Sequence, residues 1–372
     1  MGNIARRPNG QWRARYRDAS GREHSKHFAR KVDAQRWLDE TQAARLTGQY
    51  VDPRAGRISF REYADAWRQR QVHRPTTAEL VDSVLNRLIY PSFADQRLSA
   101  IASSDIQAWV RKLSHSLAPS TVGTAHRILS GIFKSAVTDR RIPANPCTGT
   151  RLPKVPPRRV QPISAAQLAA LIRHAPHRHR ALIVLAAGTG LRQGEIFGLT
   201  HDRLNLDERT LRVDRQLINV NGRQPFFAPP KSQASVRIVP LPETVIDALV
   251  EHMAAFPSSP LIFTNRSGDP LRRSAFWTEW RRTTRRAELP DLRFHELRHY
   301  YASLLIRHGE SVKTVQARLG HASASETLDT YSHLWPDSEE RTREAVDLVL
   351  GPATDYLRTA DGHQSHNRRS KT

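Results

Sequence analysis

Six prolines fall between positions 143 and 162, in the run IPANPCTGTRLPKVPPRRVQP. Proline has no amide hydrogen and a fixed φ, so neither a helix nor a central strand can continue through such a segment. It serves as a stiff spacer, and the chain is expected to fold as separate bodies on either side of it. At 372 residues, two or three domains are expected. Residues 146–162 are assigned to the linker, with 58–145 a module before it and 163–350 a larger one after it. Residues 1–55 are read as a small N-terminal module. Residues 351–372 are polar and expected to be disordered.

Charge narrows the partners. Lys and Arg total 58 against 36 acidic residues, a net charge of +22. Such a field attracts polyanions, DNA first among them. No apolar run approaches the ~20 residues that a membrane helix requires, and the basic N-terminus has no apolar core of a secretory signal. One cysteine, Cys147, excludes an internal disulfide, which fits a reducing cytoplasm. No base is evident near it, so its thiol is read as inert.

Residues 3–28 predict three short strands turned at PNG (8–10) and DASG (18–21). Alternation puts Trp12, Ala14 and Tyr16 on one face and Arg13, Arg15 and Arg17 on the other. The apolar face should pack on a helix, KVDAQRWLDETQAARL, with Val32, Trp37 and Leu38 turned inward. The arginine face could enter a DNA groove or simply be solvated. Residues 58–142 predict a compact helical module, with Ser59, Ser104 and Ser120 as N-caps. Residues 163–350 predict a mixed domain, mostly α, with strands around TLRVDRQLINV and ASVRIVPL. The fold class is therefore multidomain, mainly α with small antiparallel β-sheets.

Four local patterns carry chemistry, each with a bland reading beside it. In TGLRQGEIFGL (189–199), Arg192 and Glu195 share a helical face. In PKSQASVRIVPL (230–241), Lys231 sits on a turn, where it could reach a groove. In HELRHYYASLLIRHG (295–309), His295 and Arg298 project from one face and His299 follows. Imidazole offers proton transfer near neutral pH, and arginine a fork matched to phosphate oxygens. The histidine spacing lacks a second ligand set, so no metal site is expected. In LGHASASETLDTYSHL (319–334), His321 follows a glycine and Tyr331 comes ten residues later.

The ordered set of Arg, turn Lys, HxxRH, LGH and Tyr resembles the tyrosine site-specific recombinase, or phage integrase, family. The resemblance covers 163–345 and extends more loosely to both N-terminal modules. It implies that Arg192 and Arg298 clamp the scissile phosphate, that Lys231 is the acid for the leaving 5′ oxygen, and that His295 accepts the proton of the tyrosine. It further implies that His321 hydrogen-bonds the phosphate, that Tyr331 is the nucleophile forming a 3′-phosphotyrosyl bond, and that Glu195 and His299 support them. Neither ATP nor a metal cofactor is needed, in keeping with the absence of a Walker motif. Double-stranded DNA is the implied partner, bound by a homotetramer, with accessory DNA-bending or directionality proteins. The N-terminal sheet resembles an arm-binding domain, so 58–145 would bind core-type and 1–55 arm-type sites. Integration and excision of a phage or other mobile element in the bacterial cytoplasm is the expected role. A resolvase of DNA dimers, a type IB topoisomerase-like enzyme and a non-catalytic regulator are the alternatives. The last is suggested by the helix-turn-helix character of LLIRHGESVKTVQARLGH, with Gly309 in the turn.

Overall fold

The computed structural model describes residues 2–18, 21–46, 50–52, 54–156, 159–335, 343–344 and 346–350. The expected tail, 351–372, lies outside the described residues, as does Ala345, which the sequence groups with Val346, Val349 and Leu350 as an apolar stripe for docking on a neighbouring subunit. The chain divides into two units, Met1–Pro157 and Arg158–Thr372.

The first unit begins with an antiparallel sheet of β1 (Asn3–Arg6), β2 (Trp12–Arg17) and β3 (Glu23–Phe28), followed by α1 (Lys31–Leu46). Ala14 and Tyr16 of β2 are buried against Ala34 and Leu38 of α1, with Trp12 and Trp37 at the edge. Val32 was expected inside and is 66% exposed. It lies about 200° around the helix from Ala34, so burying Ala34, Trp37 and Leu38 necessarily turns it out.

The rest of this unit is helical: α2 (Phe60–Arg70), α3 (Pro75–Val84), a π-turn at Leu85–Ile89, α4 (Tyr90–Phe93), α5 (Ser103–Ser114) and α6 (Pro119–Thr138). Phe60, Tyr63, Ala64 and Trp67 recur at helical spacing and pack on Leu129, Phe133 and Ala136 of α6. Two buried polar handles fix the pairing: Tyr63 donates to Asp139 at 2.8 Å and Trp67 Nε1 to Ser135 Oγ at 3.0 Å. Ser59 caps α2 as expected, accepting from the Glu62 amide. Ser104 and Ser120 do not cap. Helix α5 starts a residue before Ser104, where Asp105 reaches back to the Ala102 amide, and α6 starts on Pro119, whose missing N–H suits a first turn. The proline-rich run begins laid on this module: Cys147 is buried in its core, and Gln107 exchanges two hydrogen bonds with the Arg151 backbone. Burial pushes the Cys147 thiol up to about 12, so it stays protonated.

The second unit opens with α7 (Ala165–His174), α8 (His177–Thr189) and the short α9 (Gln193–Phe197). Next come β4 (Leu204–Asn205), β5 (Thr210–Val213), β6 (Gln216–Ile218), β7 (Phe226–Ala228) and β8 (Arg237–Pro240). The expected strand TLRVDRQLINV is two strands. β5 pairs with β4 and β8, whereas β6 forms a separate hairpin with β7. The break falls at Asp214, which draws in Arg203, Arg212 and Arg215 at 2.9–3.3 Å. Helices α10 (Glu243–Ala255), α11 (Arg273–Arg286), α12 (Glu296–Arg307), α13 (Val312–Leu319) and α14 (Ala324–Tyr331) complete the unit. Two apolar clusters hold it. The larger surrounds α8; the smaller joins α12, α13 and α14. Helix α12 serves both, giving Leu297 and Tyr300 to one and Tyr301, Ala302 and Ile306 to the other.

Two glycines test this packing in opposite directions. A Cβ on Gly198 would stand 2.7 Å from the Leu217 backbone nitrogen, whereas one on Gly123, inside α6, meets nothing within 4 Å. Gly198→Ala should destabilise the second unit by ~1–3 kcal/mol through overpacking. Gly123→Ala should stabilise the first by up to ~1 kcal/mol through helix propensity. Calorimetry of the two variants reads both signs, and equal shifts would contradict the packing described.

Candidate active site

The residues singled out in the second unit converge where three helices end. Helix α8 closes on Gly190 and α13 on Gly320, both left-handed with φ near +65° (64° and 66°). At Gly190 a side chain is also barred sterically, since a Cβ would meet Tyr301 at 2.5 Å; at Gly320 it would press on the Ala234 carbonyl at 3.1 Å. These turns aim main-chain carbonyls at one place. Arg298 of α12, only 2% exposed, donates from Nη1 to Gly190 O and from Nη2 to Leu319 O, each at 2.6 Å. The negative end of a helix dipole favours a cation there. Burial and the neighbouring Arg192 push Arg298 down to about 9, so it remains a cation at neutral pH.

Arg192 stands at the N-cap of α9. Its amide donates to Glu195 Oε2 at 2.9 Å, its Nη1 to Glu195 Oε1 at 3.1 Å and to Ser235 Oγ at 3.3 Å, and its Nη2 to Gly320 O at 3.3 Å. The expected i, i+3 pair is therefore formed. Glu195 has a second cation that sequence reasoning missed. Arg237 of β8 clamps it through two contacts, 2.9 and 3.3 Å, and also donates from Nε to Arg318 O at 2.8 Å. Burial works to raise the Glu195 carboxyl, but Arg237 and then Arg192 overcome it and hold the group below the usual carboxylate range. The only signal for Arg237 was its place one residue from Ile238 in an alternating strand. Because Ile238 is 61% exposed and Val239 fully buried, the arginine is the one that shares the inner face.

Tyr331 ends α14 and is 1% exposed. Its hydroxyl meets His299 Nδ1 at 2.7 Å. Its ring lies parallel to His321, with centroids 6.4 Å apart. Burial raises the phenol to about 12, with Arg298 working against it. His321 Nδ1 is bonded to Thr327 Oγ1 at 2.8 Å; burial, then Arg298, pushes it down to about 4. His295, at the N-cap of α12, packs edge-on against His299 at 5.0 Å. It too is pushed down to about 4, by desolvation and then by His299 and Arg298. Sequence reading placed the proton acceptor at His295; the hydroxyl's partner in the structure is His299. Beside them is a cleft of about 660 Å³ whose wall includes Arg159, His295, Glu296, His299 and Thr330.

Arg192, Glu195, His295, Arg298, His299, His321 and Tyr331 are thus drawn together. Lys231 is on the exposed connection between β7 and β8, four residues before Ser235, whose hydroxyl touches Arg192. In the first unit, Arg13, Arg15 and Arg17 share a face of the sheet as expected, gathered around Glu23 at 3.0, 3.8 and 3.8 Å. Among the described residues one group brings metal-ligand atoms together, Asp18, His24 and Asp52. His24 Nε2 lies 2.8 Å from Asp18, whose other oxygen accepts the Arg22 amide, so these side chains are occupied in tying the hairpin. No helix among the described residues is long and apolar enough to cross a membrane.

Three family descriptions match the chain in sequence order. They are the N-terminal domain of phage integrase over 1–48, its central domain over 60–153, and the phage integrase family over 160–337. A putative prophage phiRv2 integrase of Mycobacterium tuberculosis is 28% identical over 94% of this chain and 95% of its own. A XerC-like tyrosine recombinase of Caldanaerobacter subterraneus is 30% identical over 68% of this chain and 73% of its own. Among solved structures, the Tn1549 transposon integrase in complex with a circular intermediate DNA covers 76% of this chain and 96% of its own, with a TM-score of 0.66 at 21% identity. A lambda integrase dimer bound to a core site covers 90% and 97%, with a TM-score of 0.58 at 19% identity.

The Glu195 clamp sets a pH dependence. Its carboxyl is held below its unfolded value, so its contribution to stability is complete above that value, near 4.5, and is lost as pH falls through the lower folded one. Melting temperature against pH should therefore fall less steeply below pH ~4.5 in Glu195→Gln than in the natural chain. Arg237→Ala, which strips a buried carboxylate of a partner, should cost ~3–5 kcal/mol at neutral pH.

Proposed function

The chain belongs to the phage integrase family and is a tyrosine recombinase that cleaves and rejoins DNA; from that premise we propose that Tyr331 is its nucleophile and that it integrates and excises a phage or other mobile element. The observation that carries this reading is the buried tyrosine hydroxyl, bonded to an imidazole and under the charges of Arg298 and Arg192. A phosphodiester is an anion and resists attack. Charge grows on its nonbridging oxygens as the new bond forms, where fixed guanidinium donors help most. Arg192 and Arg298 are assigned to those oxygens. Each guanidinium has five N–H groups, and the contacts to Gly190, Leu319, Gly320, Ser235 and Glu195 leave donors over on both. His321 and His295, held neutral, supply further hydrogen bonds to the phosphate. Tyr331 attacks phosphorus, a 3′-phosphotyrosyl bond forms and the 5′ oxygen leaves with a proton from Lys231. The 5′ hydroxyl of a partner strand then reverses these steps.

Two duplexes exchanging strands require four such sites. We therefore assign a homotetramer on double-stranded DNA, with accessory DNA-bending or directionality proteins, acting in the cytoplasm. The central helical module is assigned to core-type sites. The β1–β3 sheet, with Arg13, Arg15 and Arg17, is assigned to arm-type sites. After Tyr331, Val346, Val349 and Leu350 are 47–70% exposed, and such apolar residues suit contact with a neighbouring subunit.

Covalent capture tests the chemistry. A library of nicked duplexes with a randomised core, incubated with the protein in EDTA, should yield a protease-sensitive protein–DNA adduct. Tyr331→Phe should bind the same duplexes and give none. Tight binding without any adduct would support the regulator instead.

A further inference from the structure

We propose that His299 is the catalytic base for Tyr331, taking the phenolic proton on Nδ1; this rests on the reading of Tyr331 as nucleophile. The contact is direct, at 2.7 Å, and is the geometry a proton transfer requires. His295 stands one ring further out, its edge against His299. The need for a base is plain, since the hydroxyl is buried and its pKa raised.

Helix register explains why Arg298 and the adjacent His299 face different groups. Side chains one residue apart point about 100° apart. With Arg298 fixed inward on two carbonyls, His299 turns toward α14 and Tyr331, and into the wall of the cleft. The imidazole is half-buried there, so the imidazolium formed can be hydrated from the cleft. Glu296, one turn earlier on α12, lines the same cleft and adds negative charge. Among the described residues, the other ionisable groups near His299 are His295, Glu296 and Arg298 on its own helix, Tyr331 and Glu326 of α14 with His321 just before it, and Arg159, Glu288, Asp291 and Arg293 on the cleft wall.

The step balances. The Tyr331 O–H bond breaks as N–H forms on His299, the phenolic oxygen bonds to phosphorus, and the bond from phosphorus to the 5′ oxygen breaks with a proton from Lys231. Resealing returns both protons.

The test is single-turnover adduct formation on a captured nicked duplex. His299→Ala should slow it by ~10²–10⁴-fold. His299→Asn, which can still hydrogen-bond the hydroxyl but cannot accept its proton, should be as slow. Placing 3,5-difluorotyrosine at 331 lowers the phenol pKa. It should recover part of the loss in both His299 variants and little in His295→Ala. The acidic limb of the natural rate–pH profile should vanish in His299→Asn. Wild-type speed in His299→Asn, or rescue confined to His295→Ala, would overturn the assignment while leaving Tyr331 as nucleophile. An adduct that survives Tyr331→Phe would instead remove the underlying reading.

Discussion

A single buried guanidinium organises the catalytic unit. Arg298 joins the carbonyls that close α8 and α13, and does so from inside α12. Left without it, two buried carbonyls would lack donors, and each such loss costs ~1–3 kcal/mol. The arginine in turn has no other way to be buried, because a cation of that size leaves water only when its N–H groups are met. The left-handed glycines at 190 and 320 exist to let the carbonyls reach it, and the packing of Tyr301 and Leu319 around Gly190 leaves no room for a side chain.

Arg192 is held in the same spirit. Its partner Glu195 is buried, and a buried carboxylate between Arg192 and Arg237 positions a side chain more firmly than a solvated pair would. Arg237 links this cluster to β8 and, through the Arg318 carbonyl, to the end of α13. The small β4–β5–β8 sheet, peripheral by size, is therefore tied to the buried arginine cluster.

Much of this was legible beforehand. Alternation gave the N-terminal sheet and its arginine face, and helical spacing gave α2 and α6. The i, i+3 relation of Arg192 and Glu195 could be read directly. What escaped depended on contacts distant in the chain. Arg237 is 42 residues from Glu195, and its strand is apolar on both sides, so alternation could not say which face is inner. The contact of His299 with the Tyr331 hydroxyl could not be read either, because His295 and His299 lie one turn apart on the same face of α12 and only the placing of α14 decides which of them the hydroxyl meets. Val32 failed for a related reason, since Ala34 and not a larger residue set the buried face of α1. The caps at Ser104 and Ser120 were displaced by a neighbouring carboxylate and by a proline, which satisfy a first turn equally well.

Arg192 and Arg237 share one buried carboxylate, Glu195, whose charge also reaches the nearby Arg298. His295 and His321, held down to about 4, add no charge at neutral pH. Two positive charges are left uncompensated. A phosphodiester lying here carries one negative charge, and the five-coordinate species formed during attack carries two. On the proposed reading, with Arg192 and Arg298 at the phosphate, this excess of positive charge lies where negative charge builds on the phosphoryl oxygens and favours the five-coordinate species over the resting diester. On that reading, grip on the duplex falls to the basic surface elsewhere on a chain of net charge +22, and the buried cluster serves the passing state more than the resting one.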